Sequence, residues 1–437
     1  MHTQRSRVGA FYRGKSVRTV RDSPFEFERN DCLEVKPMSR QSARVLCFTF
    51  LSVICLSSST SAQTAHFSGA QSTVTSNLSG PWGVAVDRGG NVYIADEGNF
   101  RVLKETPTLY GYTESVFVDA ATSGVSYFLP YVVTVDGAGD VFVLNGGDGQ
   151  ILKFAAGPSG YAETTLPRPP ISYGNPFGIA ADPKGDLFFS FIYATGNLYE
   201  LSPVSGAYVG DPVGTGLGFF DVGVAADANK NVYVTSSIGG DIYKETLQSG
   251  TYVQSLLDSG YSDPYGLAVN SQGAVYVADF GDPVVWKETP SAGKYVKTAV
   301  PGAGLESPIA VAVDSLNDLY VSDNAKNRVT VMNGLGGIFP LVKVGSTSTK
   351  PISIIFTFDT AGTLGSTSVL QGGPGDEFVD AGTGSCTPGM TYSAGESCSV
   401  DVNFAPRTQV PRVGTVELHR ESGRVIATGF VAGTGVR

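Results

Sequence analysis

At 437 residues, with 42% hydrophobic, 16% charged, 55 Gly and 24 Pro, the chain has room for two or three domains, and its composition favours short strands joined by tight turns. No window carries a sustained helical period with caps, which excludes a helical fold and leaves an all-β class. Residues 1–62 hold ten of the 30 basic and five of the 40 acidic residues; the remainder, with 20 basic against 35 acidic, excludes nucleic acid and anionic membrane surfaces as partners.

Residues 1–37 are Arg-rich and unpatterned. They read as a misassigned start or a disordered extension, since Met38 is a better beginning. Residues 38–62 have the layout of a signal peptide: Arg40 and Arg44, an apolar run from Val45 to Leu56, and small residues before a cleavage point after Ala62. The alternative is a cytoplasmic extension with 38–62 kept as an anchor. The apolar run is short for a membrane span, and Ile54 before Cys55 does not suit lipid attachment. The expected location is therefore outside the cytoplasm of a bacterium: secreted, periplasmic or on the cell surface. No span is expected in the mature chain, which is read as a monomer.

From residue 81 a unit recurs six times. Its copies are PWGVAVDRGGNVYIAD (81–96), PYVVTVDGAGDVFVLN (130–145), PFGIAADPKGDLFFSF (176–191), DVGVAADANKNVYVTS (221–236), PYGLAVNSQGAVYVAD (264–279) and PIAVAVDSLNDLYVSD (308–323). The turn residues Asp87, Asp136, Asp182, Asp227, Asn270 and Asp314 step by 49, 46, 45, 43 and 44 residues. Tyr112, Tyr161, Tyr208, Tyr252 and Tyr295 step by 49, 47, 44 and 43, so two markers drift together. In the first unit, strands are expected near 83–87, 91–95, 101–105 and 112–117. Four strands in this period make one propeller blade, whose apolar faces only neighbouring blades can cover. Residues 63–337 are thus read as a six-bladed β-propeller. The segment Ser72–Leu78 matches a fourth strand without its own blade. It is expected to complete the sixth blade, whose own pattern ends after Met332.

The Asp-x-x-Gly-Asn turn, the Val-Tyr-Val-x-Asp strand and the Asn-x-Arg-Val that follows (Asn99, Arg101, Val102; Asn327, Arg328, Val329) resemble the NHL repeat, over about residues 66–337. Repeats three and four depart from it at Phe191 and Ser236.

After Gly337 the pattern changes to alternating strands at 353–358, 398–404, 414–420 and 424–431, so residues 338–437 read as a β-sandwich. Cys386 and Cys398, an even pair in an exported chain, are expected to form a disulfide, worth about 3 kcal/mol for a loop of this size. The run SAGESCSVDVNFAP (393–406) and the terminal GTG resemble bacterial Ig-like domains of the abnormal-spindle and hydin-like type, and the cysteines match that family's pair. The resemblance implies a spacer or adhesive module.

Three histidines, His2, His66 and His419, fall outside the six repeats, so a multi-His metal site or a Ser-His-Asp triad within the repeats is not expected. No catalytic residue and no resident metal are assigned. The repeated turn acids read as turn caps. Asp227-x-Asn229-x-Asn231 starts like a calcium loop but lacks its Gly and distal Glu. Asp279-Phe280-Gly281 stands without other kinase signatures, and GTGLG (214–218) precedes no helix, so neither implies phosphate chemistry. Asp96, Asp279 and Asp323 end the second strand at a rim shared with Glu97, Asp148, Asp241 and Asp282. They read as loop caps or as ligand groups; calcium there is the one cofactor left open.

Trp82, Tyr131, Phe177 and Tyr265 share one repeat position, with Phe220 and Ile309 near it in repeats four and six. Aromatic faces at a channel mouth suit a sugar or peptide, or they plug the channel. The ligand-binding candidates are Trp82, Tyr131, Phe177, Tyr265, Asp96, Asn99, Arg101, Asp279, Asp323 and Arg328. The leading function is an exported, non-catalytic binding or scaffold protein for a glycan, peptide or protein. The alternatives are a metal-assisted lyase or lactonase-like hydrolase using rim carboxylates, and a surface adhesin acting through the Ig-like region.

Overall fold

The computed structural model describes residues 65–169, 175–192, 198–213, 221–302, 304–334, 336–371 and 375–437. The leader, Cys32, Cys47, Cys55, Phe220 and the run 214–218 lie outside them. Among the described residues the chain is strand throughout apart from one 3-10 turn, Glu97–Asn99. No helix there is long and apolar enough to cross a membrane.

Each of the first five repeats forms a four-stranded antiparallel sheet with its strands in chain order. The first contains Pro81–Val86, Val92–Asp96, Arg101–Thr108 and Gly111–Asp119; the second has the predicted length, shifted by one residue, and the others are longer by one to three residues. The second strand is buried along its whole length in repeats one, two, four, five and six, as a strand covered on both faces must be. The first strands touch one another in sequence: Pro81–Val86 against Pro130–Val135, then Asn175–Ala181, Asp221–Ala226, Pro264–Val269, Pro308–Val313, and back to Pro81–Val86. Sheets stacked side by side around a closed circle are a β-propeller.

The repeat signature has a physical reason at each position. A Cβ on Gly83 would stand 2.8 Å from the backbone of Val132 and Val133, and one on Gly223 2.1 Å from Tyr265 O. Glycine at this position of the first strand, after Trp82 in repeat one and after Val222 in repeat four, therefore lets adjacent first strands approach closely. The turn acids cap their hairpins: Asp87 Oδ1 accepts from Gly89 N at 2.8 Å and Asn91 N at 2.9 Å. Asp136, Asp182, Asp227, Asn270 and Asp314 repeat the pattern at the same spacing. The second marker joins sheets. The hydroxyl of Tyr161 meets that of Tyr93 at 2.8 Å, and Tyr112 meets Tyr320 at 3.4 Å, each across a sheet boundary. Lys153 Nζ donates to Tyr208, and Tyr252 donates to Glu200. In each of the first four repeats one tyrosine thus ties the outermost strand to the sheet before it.

The sixth sheet takes its fourth strand from the other end of the chain. Ala65–Thr75 pairs with Arg328–Asn333 from Ala70 to Thr75, slightly upstream of the segment anticipated from sequence. Its opposite edge pairs with Ile352–Phe358, from Ala65 to Gln71. Ala70 and Gln71 are bonded on both sides, so one sheet runs from the propeller into the C-terminal region. The division expected at residue 338 is therefore not a single boundary.

In that region Ile352–Phe358, Ser397–Phe404 and Phe378–Asp380 continue the shared sheet, and Gly362–Gln371, Pro411–Arg420 and Val425–Val436 form the spine of a second one. The strand Gly362–Gln371 carries no expectation from sequence. Ile354, Phe356, Val402 and Phe404 from one sheet and Val416, Leu418, Ile426 and Val431 from the other bury in one core. Cys386 and Cys398 are joined by a disulfide.

Candidate functional site

The first strands run from the repeat position that is aromatic in four of them (Trp82, Tyr131, Phe177 and Tyr265) to the turn residue, so the two ends of the axis carry different residue types. Between them lies a channel of about 470 Å³, bounded by Trp82, Tyr131, Phe177 and Tyr265 at one end and by Asp87, Asp136, Asn270 and Asp314 at the other. The four rings come together. Trp82 stacks on Tyr131 with centroids 5.0 Å apart and planes 11° from parallel. Phe177 and Tyr265 present edges to Trp82 at 5.6 and 6.2 Å, and Tyr265 leans on Phe280 at 5.3 Å. Each of the four is half-buried: they pack against one another and still offer surface. Ile309 is buried in the sixth sheet.

Glycines seat the rings. A Cβ on Gly146 would lie 2.5 Å from the Tyr131 ring, and one on Gly147 2.5 Å from Tyr127. Glu97 stands beside the cluster and accepts the Trp82 indole N–H; burial raises its carboxyl above the ordinary range. Burial also raises the Tyr131 phenol, helped by Glu97, and the Tyr265 phenol, helped by Asp263. Around this floor the loops expose Phe100 (43%), Tyr127 (58%), Ile238 (72%) and Phe280 (38%).

The candidates at the end of the second strand are placed otherwise than a solvent-facing rim requires. Asp96, Asp279 and Asp323 are fully buried. Asp96 accepts from Ser79 N at 2.7 Å, Asn99 Nδ2 at 2.9 Å and Arg101 Nε at 2.8 Å. Asp279 accepts from Ser262 N, Asp263 N and the Trp286 indole. Asp323 accepts from Glu306 N, Ser307 N and Arg328. Asn145 does the same in the second sheet, accepting from Leu129 N. Each side chain staples the loop that enters its own sheet, and a buried carboxylate must be satisfied in this way. Asn99, Arg101 and Arg328 are drawn into the same staples, with Arg101 and Arg328 also donating to Asn77 O and Gly304 O. Of the ten ligand candidates, the structure brings the four aromatic ones into one cluster and ties the six polar ones into loops. Among the described residues, no three His, Cys, Asp or Glu side chains form a group that could hold a metal ion.

Sequence reasoning passed over Phe100. Its φ of 54° is left-handed, where the corresponding turns have Gly149, Gly240 and Asn327. A bulky exposed residue at a glycine position is visible once the repeats are aligned by their turns, which the strand pattern alone does not do.

The NHL repeat family model matches residues 78–104. That stretch carries the Trp82 position, the first Asp87 turn and the Asp96 staple. No curated protein matches the chain. Among solved structures the chain is similar to a streptogramin B lyase (13% identity, TM-score 0.47, 61% of this chain and 98% of that one). It is also similar to a gluconolactonase from Xanthomonas campestris (15%, 0.47, 60% and 89%) and to virginiamycin B lyase from Staphylococcus aureus (16%, 0.43, 58% and 80%).

Proposed function

We propose that this chain is an exported, non-catalytic binding protein: a six-bladed propeller whose aromatic mouth receives a glycan, peptide or protein partner, with an Ig-like β-sandwich as its spacer. The convergence of Trp82, Tyr131, Phe177 and Tyr265 beside Glu97 carries this reading. Flat apolar faces with few polar groups, set in a concave mouth, are the common make-up of a ligand site. The same rings also close the channel, and both roles fit half-buried side chains. The circle of first strands, with the N-terminal strand as the fourth member of the sixth sheet, supports the blade count. The two sheets sharing one core, with the Cys386–Cys398 bridge, support the sandwich. The signal-like segment 38–62 supports export.

The test is a glycan and peptide array probed with the protein and with a Trp82→Ala/Tyr265→Ala variant. Binding lost while the melting temperature holds supports the mouth as a site. Stability lost with binding retained means the rings only pack the channel.

A further inference from the structure

The mouth also limits the chemistry of its ligand, provided that it is a binding site at all. A neutral sugar is recognised by side chains that offer donors and acceptors in fixed directions. At this end of the propeller the amide and guanidinium side chains are already committed. Asn99 donates to Asp96, and Asn145 is shared among Leu129, Tyr127 and Asp148. Asn324 donates to Pro81 O, and Asn327 accepts from Gly80 N. Arg101 and Arg328 are held by Asp96 and Asp323. Ring faces, the Tyr131 and Tyr265 hydroxyls and carboxylates remain. Glu97 accepts from Trp82 and lies near Tyr131, and Asp263 lies near Tyr265. Among the described residues neither carboxylate faces a cationic partner. Arg168 lies against Gly149 in the second sheet.

We propose that the mouth takes a small organic cation of the alkylammonium class, its apolar body on the rings of Trp82 and Tyr265 and its charge toward Glu97 and Asp263. Aromatic faces attract such a cation through the ring quadrupole, and a desolvated carboxylate adds to the attraction. The complementarity is of charge as well as shape: this end presents negative groups around an apolar floor, in a body with 35 acidic residues against 20 basic ones.

The experiment is calorimetric titration of the full-length protein with choline and with its neutral isostere 3,3-dimethylbutan-1-ol. Choline is expected to bind at least about tenfold more tightly than the isostere. Glu97→Gln and Asp263→Asn, which keep volume, should each lower choline affinity several-fold without lowering the melting temperature, and added salt should weaken binding. Equal binding of the two compounds overturns the proposal, and so does choline affinity indifferent to both substitutions. Binding of a neutral oligosaccharide but not choline, lost in Trp82→Ala/Tyr265→Ala, overturns the cation and leaves the mouth as a site. Failure of every probe, with Trp82→Ala/Tyr265→Ala only lowering stability, overturns both.

Discussion

Glu105 offers a pH-dependent measure of how the propeller is tied to its first strand. It is buried at 2% exposure on the third strand of the first sheet, directly opposite Glu114 in register. Thr75 of the N-terminal strand donates to Glu114, and Lys350, whose ammonium donates to Val74 O, faces the pair. Burial and the Glu114 charge push the Glu105 carboxyl from 4.5 up to about 7, with Thr75 and Lys350 pulling the other way. Burial also lowers Lys350 despite both glutamates. Folded Glu105 therefore holds its proton more tightly than the unfolded chain does. Folding takes up a proton between the two values, so this group costs nothing at low pH and destabilises increasingly as pH rises through that window. At about 1.4 kcal/mol per decade of proton affinity, the ceiling is about 3 kcal/mol. Glu105→Gln keeps the volume and removes the charge, so it should stabilise the protein by about 2 kcal/mol near pH 8. The gain should shrink to nothing near pH 4. Urea unfolding of both proteins across this range measures it. A gain independent of pH, or a loss near pH 8, would refute the reasoning.

Four further substitutions probe other parts of the fold. Phe100→Asn relieves a left-handed aromatic residue in favour of the type present at Asn327, and should raise stability by about 1 kcal/mol in thermal unfolding. Asp96→Ala leaves Arg101, Asn99 and Ser79 N without their acceptor and should cost about 3 kcal/mol. The exposed Asp282→Ala should stay within about 0.5 kcal/mol by the same assay. Ala70→Pro removes a ladder bond in a strand paired on both edges. Calorimetry should show the propeller and the C-terminal sheets destabilised in one transition; two transitions, only one of them shifted, would argue against a shared strand.

Much of the architecture is legible because it is local and repeated. The caps at Asp87 and its counterparts bond within four residues of themselves, so spacing alone exposes them. The tyrosine marker is equally visible, but its purpose is not: Tyr161 meets Tyr93 across a sheet boundary, and nothing near Tyr161 in the chain says so. The polar rim stayed open between two readings for a related reason. A recurring Asp at a strand end is compatible with a ligand site or a loop staple. Only the backbone N–H groups of Ser79, Ser262 and Ser307, sixteen or seventeen residues earlier, decide for the staple.

The sequence by itself determined that this protein is built from strands, where its turns fall, and that six units of one kind share one period. These follow from hairpin chemistry and from alternating burial, which act between near neighbours. Tertiary structure alone decided that Trp82, Tyr131, Phe177 and Tyr265 meet, and that Ala65–Thr75 serves two sheets at once. Each depends on closing the circle, where residues more than two hundred positions apart come into hydrogen-bonding register.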